Sequence, residues 1–455
     1  MASQGKKKNK TIAVVTYPGV ALLDLVATKT VLDALAMGTG YRTVTVGERT
    51  EPMDSNTPMR IIPEKKFEEV PDPFAIIVPG GGANALKAMG NERLLNYLRF
   101  AEHGAELVGS VSTGALILAA AGLLEGRQAT THPPYSEQLE NLRVNYVQSY
   151  SVQDGKFLTM QGVSGGIDAM LELVAKLKNE AAAKRTQIMI EYDPQPPFGA
   201  IDWSEADGDG LGETLDEHRV AVEQPNQKTI ALVLYPGLTV FDLAGPLQIF
   251  TGVSQLVPQY RTVIVGESVE PMNTDIRVKM IPTHTFEEVP NPSVLLVPGG
   301  GVPTLRAMSN EAMRSYVRSA AENAEVPGSV CTGALILASV GLLEGRQATT
   351  HWSFYKILEE LGAKYVRKRW VEDGKFICSA GVSAGIDMAL ALAARLTDEK
   401  TARRVQRSVG YDPHPPFGGI DYDHLGAIPG AMRSGLSVAA PVIAARPKRL
   451  TRQGR

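Results

Sequence analysis

A chain of 455 residues is too long for one ordinary hydrophobic core and should divide into two or three domains. Its 44% apolar and 21% charged content is that of a soluble globular protein, and a net charge of −3 gives no electrostatic reason to expect a nucleic-acid or membrane partner. Cys331 and Cys378 are too few for a disulfide framework, Ala334 to Leu343 is too short an apolar run to cross a bilayer, and no secretory signal opens the chain, so the expected location is cytoplasmic.

In chain order, residues 1–9 carry Lys6, Lys7 and Lys8 and read as a solvated, disordered basic end. Thr11–Thr16 is a β-branched apolar run stopped by Tyr17-Pro18-Gly19, hence a buried strand and a turn. Ala75–Val78 is a second apolar run, ending in Pro79-Gly80-Gly81-Gly82, as expected of a strand covered on both faces. Residues 206–226 are acidic and glycine-rich, a linker with little to bury. The same order of features then returns. Thr229–Leu234 leads into Tyr235-Pro236-Gly237, and Val294–Val297 leads into Pro298-Gly299-Gly300-Gly301. Helical periods follow at Asn310–Ala321 and Thr332–Val340. Gly122–His132 recurs letter for letter as Gly341–His351, with one residue inserted upstream of it in the second copy. The chain is therefore one domain written twice, over 10–205 and 227–422. Residues 423–455 form a tail rich in Ala, Pro, Gly and Arg, too irregular for a helix-turn-helix.

Alternating strands and helices with glycine-rich strand ends predict two doubly wound, flavodoxin-like α/β/α sandwiches, whose ligands bind beyond the carboxyl ends of the strands. Gly328-Ser329-Val330-Cys331-Thr332-Gly333 has the small residues of a tight strand-to-helix turn, the layout of a nucleophile elbow. A helix N-terminus behind Cys331 favours its thiolate, whereas the plainer alternative is a buried cysteine. Asp242 opens a helix on the same sheet edge and suits either an N-cap or a proton relay to the thiol. The N–H groups of Gly300 and Gly301 are candidates to hold a developing negative charge. His351 is either a general base or a buried structural imidazole. The structural role is preferred, because His132 is kept in a copy that has lost the nucleophile. There Ser112 replaces cysteine beside Asp24 and Thr113, and serine lacks an adjacent base to activate it. The first copy is expected to be catalytically silent. Cys378, opposite Thr159, reads as interior filling on a strand, and no metal-ligand spacing is present.

These motifs together resemble the DJ-1/PfpI superfamily over nearly all of 10–203 and 228–422, and within it the isonitrile hydratase branch. Tyr-Pro-Gly, Asp-Leu-Ala-Gly-Pro, Val-Pro-Gly-Gly, Val-Cys-Thr-Gly-Ala, Ala-Thr-Thr-His-Trp and Tyr-Asp-Pro-His-Pro-Pro-Phe carry the resemblance. The peptidase branch has histidine directly after the cysteine, where this chain has Thr332. The resemblance implies Cys331 as nucleophile, Asp242 as acid/base partner and Thr332 as a third essential residue. It also implies hydration of a small isonitrile substrate through a thioimidate, without a cofactor. Members are typically homodimers with sites near the subunit interface, so the duplicated chain looks like a dimer fused into one polypeptide, with Tyr17 or Phe198 as possible pocket neighbours. A glyoxalase or deglycase acting on 2-oxoaldehydes through Cys331, His351 and Asp242 is the enzymatic alternative. A ligand or redox sensor without turnover is the other.

Overall fold

The computed structural model describes residues 10–37, 39–203 and 226–422. The basic N-terminal segment, the linker up to residue 225 and the tail lie outside the described residues.

Each copy builds one seven-stranded sheet. In the first the spatial order is Ser151–Asp154, Phe157–Met160, Leu107–Val111, Ala75–Val78, Thr11–Val15, Arg42–Gly47 and Lys65–Lys66. In the second it is Trp370–Asp373, Phe376–Ser379, Val326–Val330, Val294–Val297, Lys228–Val233, Tyr260–Gly266 and His284–Thr285. All pairings are parallel except the outer hairpins, Ser151–Asp154 with Phe157–Met160 and Trp370–Asp373 with Phe376–Ser379. The central strands are apolar throughout because helices cover both faces; every residue of Ala75–Val78 and Val294–Val297 is buried. The sequence-derived bounds of these two strands are met at both ends, and the helix expected from Asn310 runs Glu311–Asn323 with Asn310 as its cap.

Strand order reverses direction between Lys228–Val233 and Val294–Val297, so the loops leaving these strands diverge and leave a crevice at their carboxyl ends. Tyr235-Pro-Gly, Pro298-Gly-Gly-Gly and Cys331 all lie at this edge.

The copies pack against each other through their long helices Leu22–Ala36 and Val240–Leu256. Arg60–Ile62 also pairs antiparallel with Lys279–Ile281, making a small sheet that belongs to both copies. Beside it Arg277 reaches Asp33 at 3.2 Å and Glu64 at 3.4 Å, neutralising carboxylates that also surround the fully buried Lys29. Reciprocal hydrogen bonds tie the segments that follow the last helix of each copy. Ser383 Oγ donates to the Glu191 carbonyl at 2.6 Å, and Ser164 Oγ donates to the Gly410 carbonyl at 2.9 Å. Gln195 N–H meets Asp387 at 2.9 Å, mirrored by His414 N–H and Asp168 at 2.8 Å. The two copies thus form an intramolecular pseudo-dimer.

Candidate active site

Cys331 follows strand Val326–Val330, and its N–H extends the ladder by donating to Ser379 O at 3.0 Å. The chain then turns through Cys331 at φ 55°, a left-handed conformation costly to a residue with a Cβ, about 1–3 kcal/mol. Helix Gly333–Ser339 starts two residues later. Glycine is required at 333, because any Cβ there would collide with the Val297 carbonyl of the neighbouring strand. Thr350 Oγ1 anchors the turn by donating to the Cys331 carbonyl at 3.0 Å. This is the tight strand-to-helix turn expected from the sequence, and Ser112 at φ 52° repeats it in the first copy.

Asp242 lies in the first turn of helix Val240–Leu256 and is 1% exposed. The N-cap reading is corrected: the first N–H of that helix, on Val240, is taken by Asp275 Oδ1 at 3.1 Å. Asp242 is therefore free to face the crevice. Its carboxyl faces the Cys331 thiol and the Gly299 N–H, both of which favour its anion, although neither meets it in good hydrogen-bond geometry. Burial outweighs both and lifts its pKa to about 7, with the nearby Asp275 charge adding to the rise.

The expectation of a lowered thiol pKa is also corrected. Burial pushes the Cys331 thiol well above its ordinary range, and the charges of Asp242 and Glu191 push it further. The Thr332 backbone N–H favours the thiolate but is outweighed. The elbow helix is too short and the surroundings too acidic to do more. The resting pair is a buried thiol beside a carboxyl whose pKa is raised to about 7.

Gly300 and Gly301 do not present free N–H groups to a substrate. Both donate to Thr332 Oγ1, each at 3.0 Å, and Thr304 Oγ1 lies 2.8 Å from the same oxygen. Thr332 is wholly buried and braces the glycine loop beneath the thiol. Thr113 does the same for Gly81 and Gly82 in the first copy, at 3.0 and 2.9 Å.

His351 is held away from base duty. Its Nδ1 contacts Ser353 Oγ at 2.7 Å, its ring is hydrogen-bonded to the Met189 carbonyl of the first copy, and burial lowers its pKa to about 4. Tyr17 serves its own copy by donating to the Pro79 carbonyl at 3.0 Å, and Phe198 lies under the Arg403 guanidinium, 5.2 Å from its ring centre. Cys378 is 1% exposed on strand Phe376–Ser379, with a thiol pKa raised by burial to about 11.

In the first copy a cavity opens beside Ser112. Asp24, Asn84 and His132 line it from one side, and Gln248, Gln255 and Ser408 from the second copy. Asp24 accepts the Gly80 N–H at 3.0 Å and is raised by burial to about 7, as Asp242 is.

The residue that sequence reasoning missed is Glu191. It sits in the first copy, yet its carboxyl faces the Cys331 group of the second. The signal was present at one place in the repeat: Tyr192 aligns with Tyr411, so Glu191 aligns with Gly410.

A cysteine on a strained backbone turn, its thiol beside a buried carboxyl at the switch point of a doubly wound sheet, defines a cysteine-centred site of the elbow type. The chain belongs to the DJ-1/PfpI family, which matches residues 10–176 and 228–395. Isonitrile hydratase of Pseudomonas putida is 39% identical over 189 residues, 41% of this chain and 80% of that protein. Protein DJ-1 homolog A of Arabidopsis thaliana is 24% identical over 88% of this chain and 98% of its own. Deglycase PYRAB04690 of Pyrococcus abyssi is 33% identical over 24% of this chain and 67% of its own. Among solved structures, a ThiJ/PfpI family protein from Pseudomonas syringae is 33% identical and aligns with 48% of this chain and 88% of its own, at a TM-score of 0.41.

Proposed function

We propose that the second copy hydrates an isonitrile to an N-substituted formamide with Cys331 as nucleophile. The observation that carries this reading is the Cys331–Asp242 pair, a thiol beside a buried carboxyl whose pKa is about 7. Near pH 7 such a carboxyl exists in both states, so it can take a proton and later return it. A substrate carbon that must gain both a nucleophile and a proton needs this.

As sulfur attacks the terminal carbon of R–N≡C, Asp242 accepts the thiol proton. The same proton then passes to that carbon, giving the thioimidate R–N=CH–S. Water adds across the C=N bond, placing OH on carbon and H on nitrogen. The tetrahedral species collapses by expelling the sulfur, which recovers the hydroxyl proton by way of Asp242, and R–NH–CHO leaves. Thr332 positions the glycine loop and takes no proton. The likeness to the Pseudomonas putida isonitrile hydratase supports this choice of substrate. The 2-oxoaldehyde alternative draws on His351, whose ring is already committed to Ser353 and Met189.

The test is to incubate the purified chain with cyclohexyl isocyanide and, separately, with methylglyoxal. Formamide formation that disappears in C331A is expected. Lactate from methylglyoxal without any formamide would overturn the reading.

A further inference from the structure

We propose that Glu191, supplied by the catalytically silent first copy, is a positioning residue of the Cys331 site and governs how readily the thiol ionises. The inference rests on Cys331 being the reactive group, and not on which substrate it attacks.

Four observations on geometry converge. Glu191 is 3% exposed, and no donor meets either carboxyl oxygen in good hydrogen-bond geometry; the Trp352 N–H, next to His351, is the backbone dipole that favours its charge. Its backbone is held at φ 45°, a conformation that a non-glycine residue adopts only under constraint, and its carbonyl is pinned by Ser383 Oγ at 2.6 Å. Its side chain lies against Gly381, at the end of the strand hydrogen-bonded to Cys331; a Cβ at 381 would collide with the Glu191 carboxyl. The mirror position is Gly410, which faces Gly162 and His132 and brings no carboxyl to Ser112. A strained, buried acid is thus present where the elbow carries cysteine and absent where it carries serine.

The charged and titratable groups around Glu191 are Asp242, Arg369, Asp193, Cys331, Tyr365 and Tyr422. Arg369 favours the carboxylate but is itself bound to Asp387 and to the Asp193 carbonyl. Burial dominates, and with the Asp242 charge it raises Glu191 to about 8. Below that pH Glu191 is neutral and leaves the thiol alone. Above it a carboxylate faces the sulfur and opposes the thiolate. Glu191 thereby makes the Cys331 thiol harder to ionise as pH rises above neutrality.

The experiment measures the rate of Cys331 alkylation by iodoacetamide between pH 6 and 10, read by peptide mass spectrometry so that Cys378 is scored apart. No substrate is needed, so failure of the isonitrile reading leaves this test intact. In the unaltered protein the logarithm of the rate should rise with pH, flatten near pH 8 as Glu191 ionises, and rise again. In E191Q the bend near pH 8 should vanish, leaving only the one near pH 7 that Asp242 sets. The two rates should agree at pH 6 and separate by about tenfold above pH 9, with E191Q the faster. A purely structural role would shift the whole curve without changing its shape. Identical curves, or a constant offset at every pH, would overturn the proposal. Should E191Q fail to fold, the unaltered protein decides alone: a profile without a bend near pH 8 overturns it equally.

Discussion

In the first copy the elbow holds Ser112, and the segment facing it across the interface contributes Gly410. In the second the elbow holds Cys331, and the facing segment contributes Glu191. The frame around both is the same: the same strand order, the same left-handed elbow, the same threonine bracing the glycine loop and the same buried aspartate near pH 7. A fold of this kind keeps its scaffold under packing constraints that the nucleophile does not share. Serine and cysteine are alike in size, so the sheet accommodates either at the elbow without disturbance. Once the copies were joined, each site could also diverge in what the other lends it.

The comparison breaks most sharply at the elbow itself. C331A should reduce formamide formation about a thousandfold or more, whereas S112A should leave the rate within about twofold; steady-state kinetics on both variants checks this. An equal loss from S112A would end the claim that the first copy is silent.

Next in size is the acid. D242N cannot accept the thiol proton, and its turnover should fall about a hundredfold at pH 7, while D24N should turn over normally. D24N should instead reveal itself in stability. The pKa of Asp24 is raised on folding to about 7, so the folded chain holds a proton that the unfolded chain has already lost. Its contribution is complete below about pH 4 and declines as pH rises through 7, a loss of up to about 4 kcal/mol by pH 8. Thermal melts of D24N should therefore run higher than those of the unaltered chain at pH 8 and show a flatter pH dependence. Coincident melts at pH 8 would show that the first-copy aspartate is not held near pH 7.

The smallest contrast concerns the threonines. T332V and T113V each strip two N–H groups, one of them buried, of their acceptor and should cost about 1–3 kcal/mol in denaturant unfolding. Only T332V should slow Cys331 alkylation, because only there does the loosened loop lie under a thiol. Equal slowing by T113V would mean the two loops are mechanically coupled through the interface.

Much of this was legible in the chain. Strand Val294–Val297 announced itself as an apolar run with a glycine-rich end. The elbow was readable because a residue forced to positive φ and followed at two by glycine leaves a trace in composition. The duplication needed only the repeated letters, and so did the contrast of Ser112 with Cys331. Other features left no such trace. Asp242 and Asp275 both suit a helix start, and only the loop path shows that Asp275, 33 residues further on, takes the Val240 N–H. Gly300 and Gly301 looked like charge holders until Thr332 Oγ1 was found at 3.0 Å from both nitrogens. The thiol was expected to be acidic from the helix behind it, and burial beside two carboxyls reversed the sign.

The sequence by itself determined the doubled α/β scaffold, the family and the position of the one elbow cysteine. These depend on local pattern: apolar runs, turn glycines and one cysteine in an elbow. Only the tertiary structure decided which groups set the proton balance of that cysteine. Electrostatics acts through space and through the loss of water, so Glu191, 140 positions away along the chain and in the other copy, bears on Cys331 as its own neighbours do.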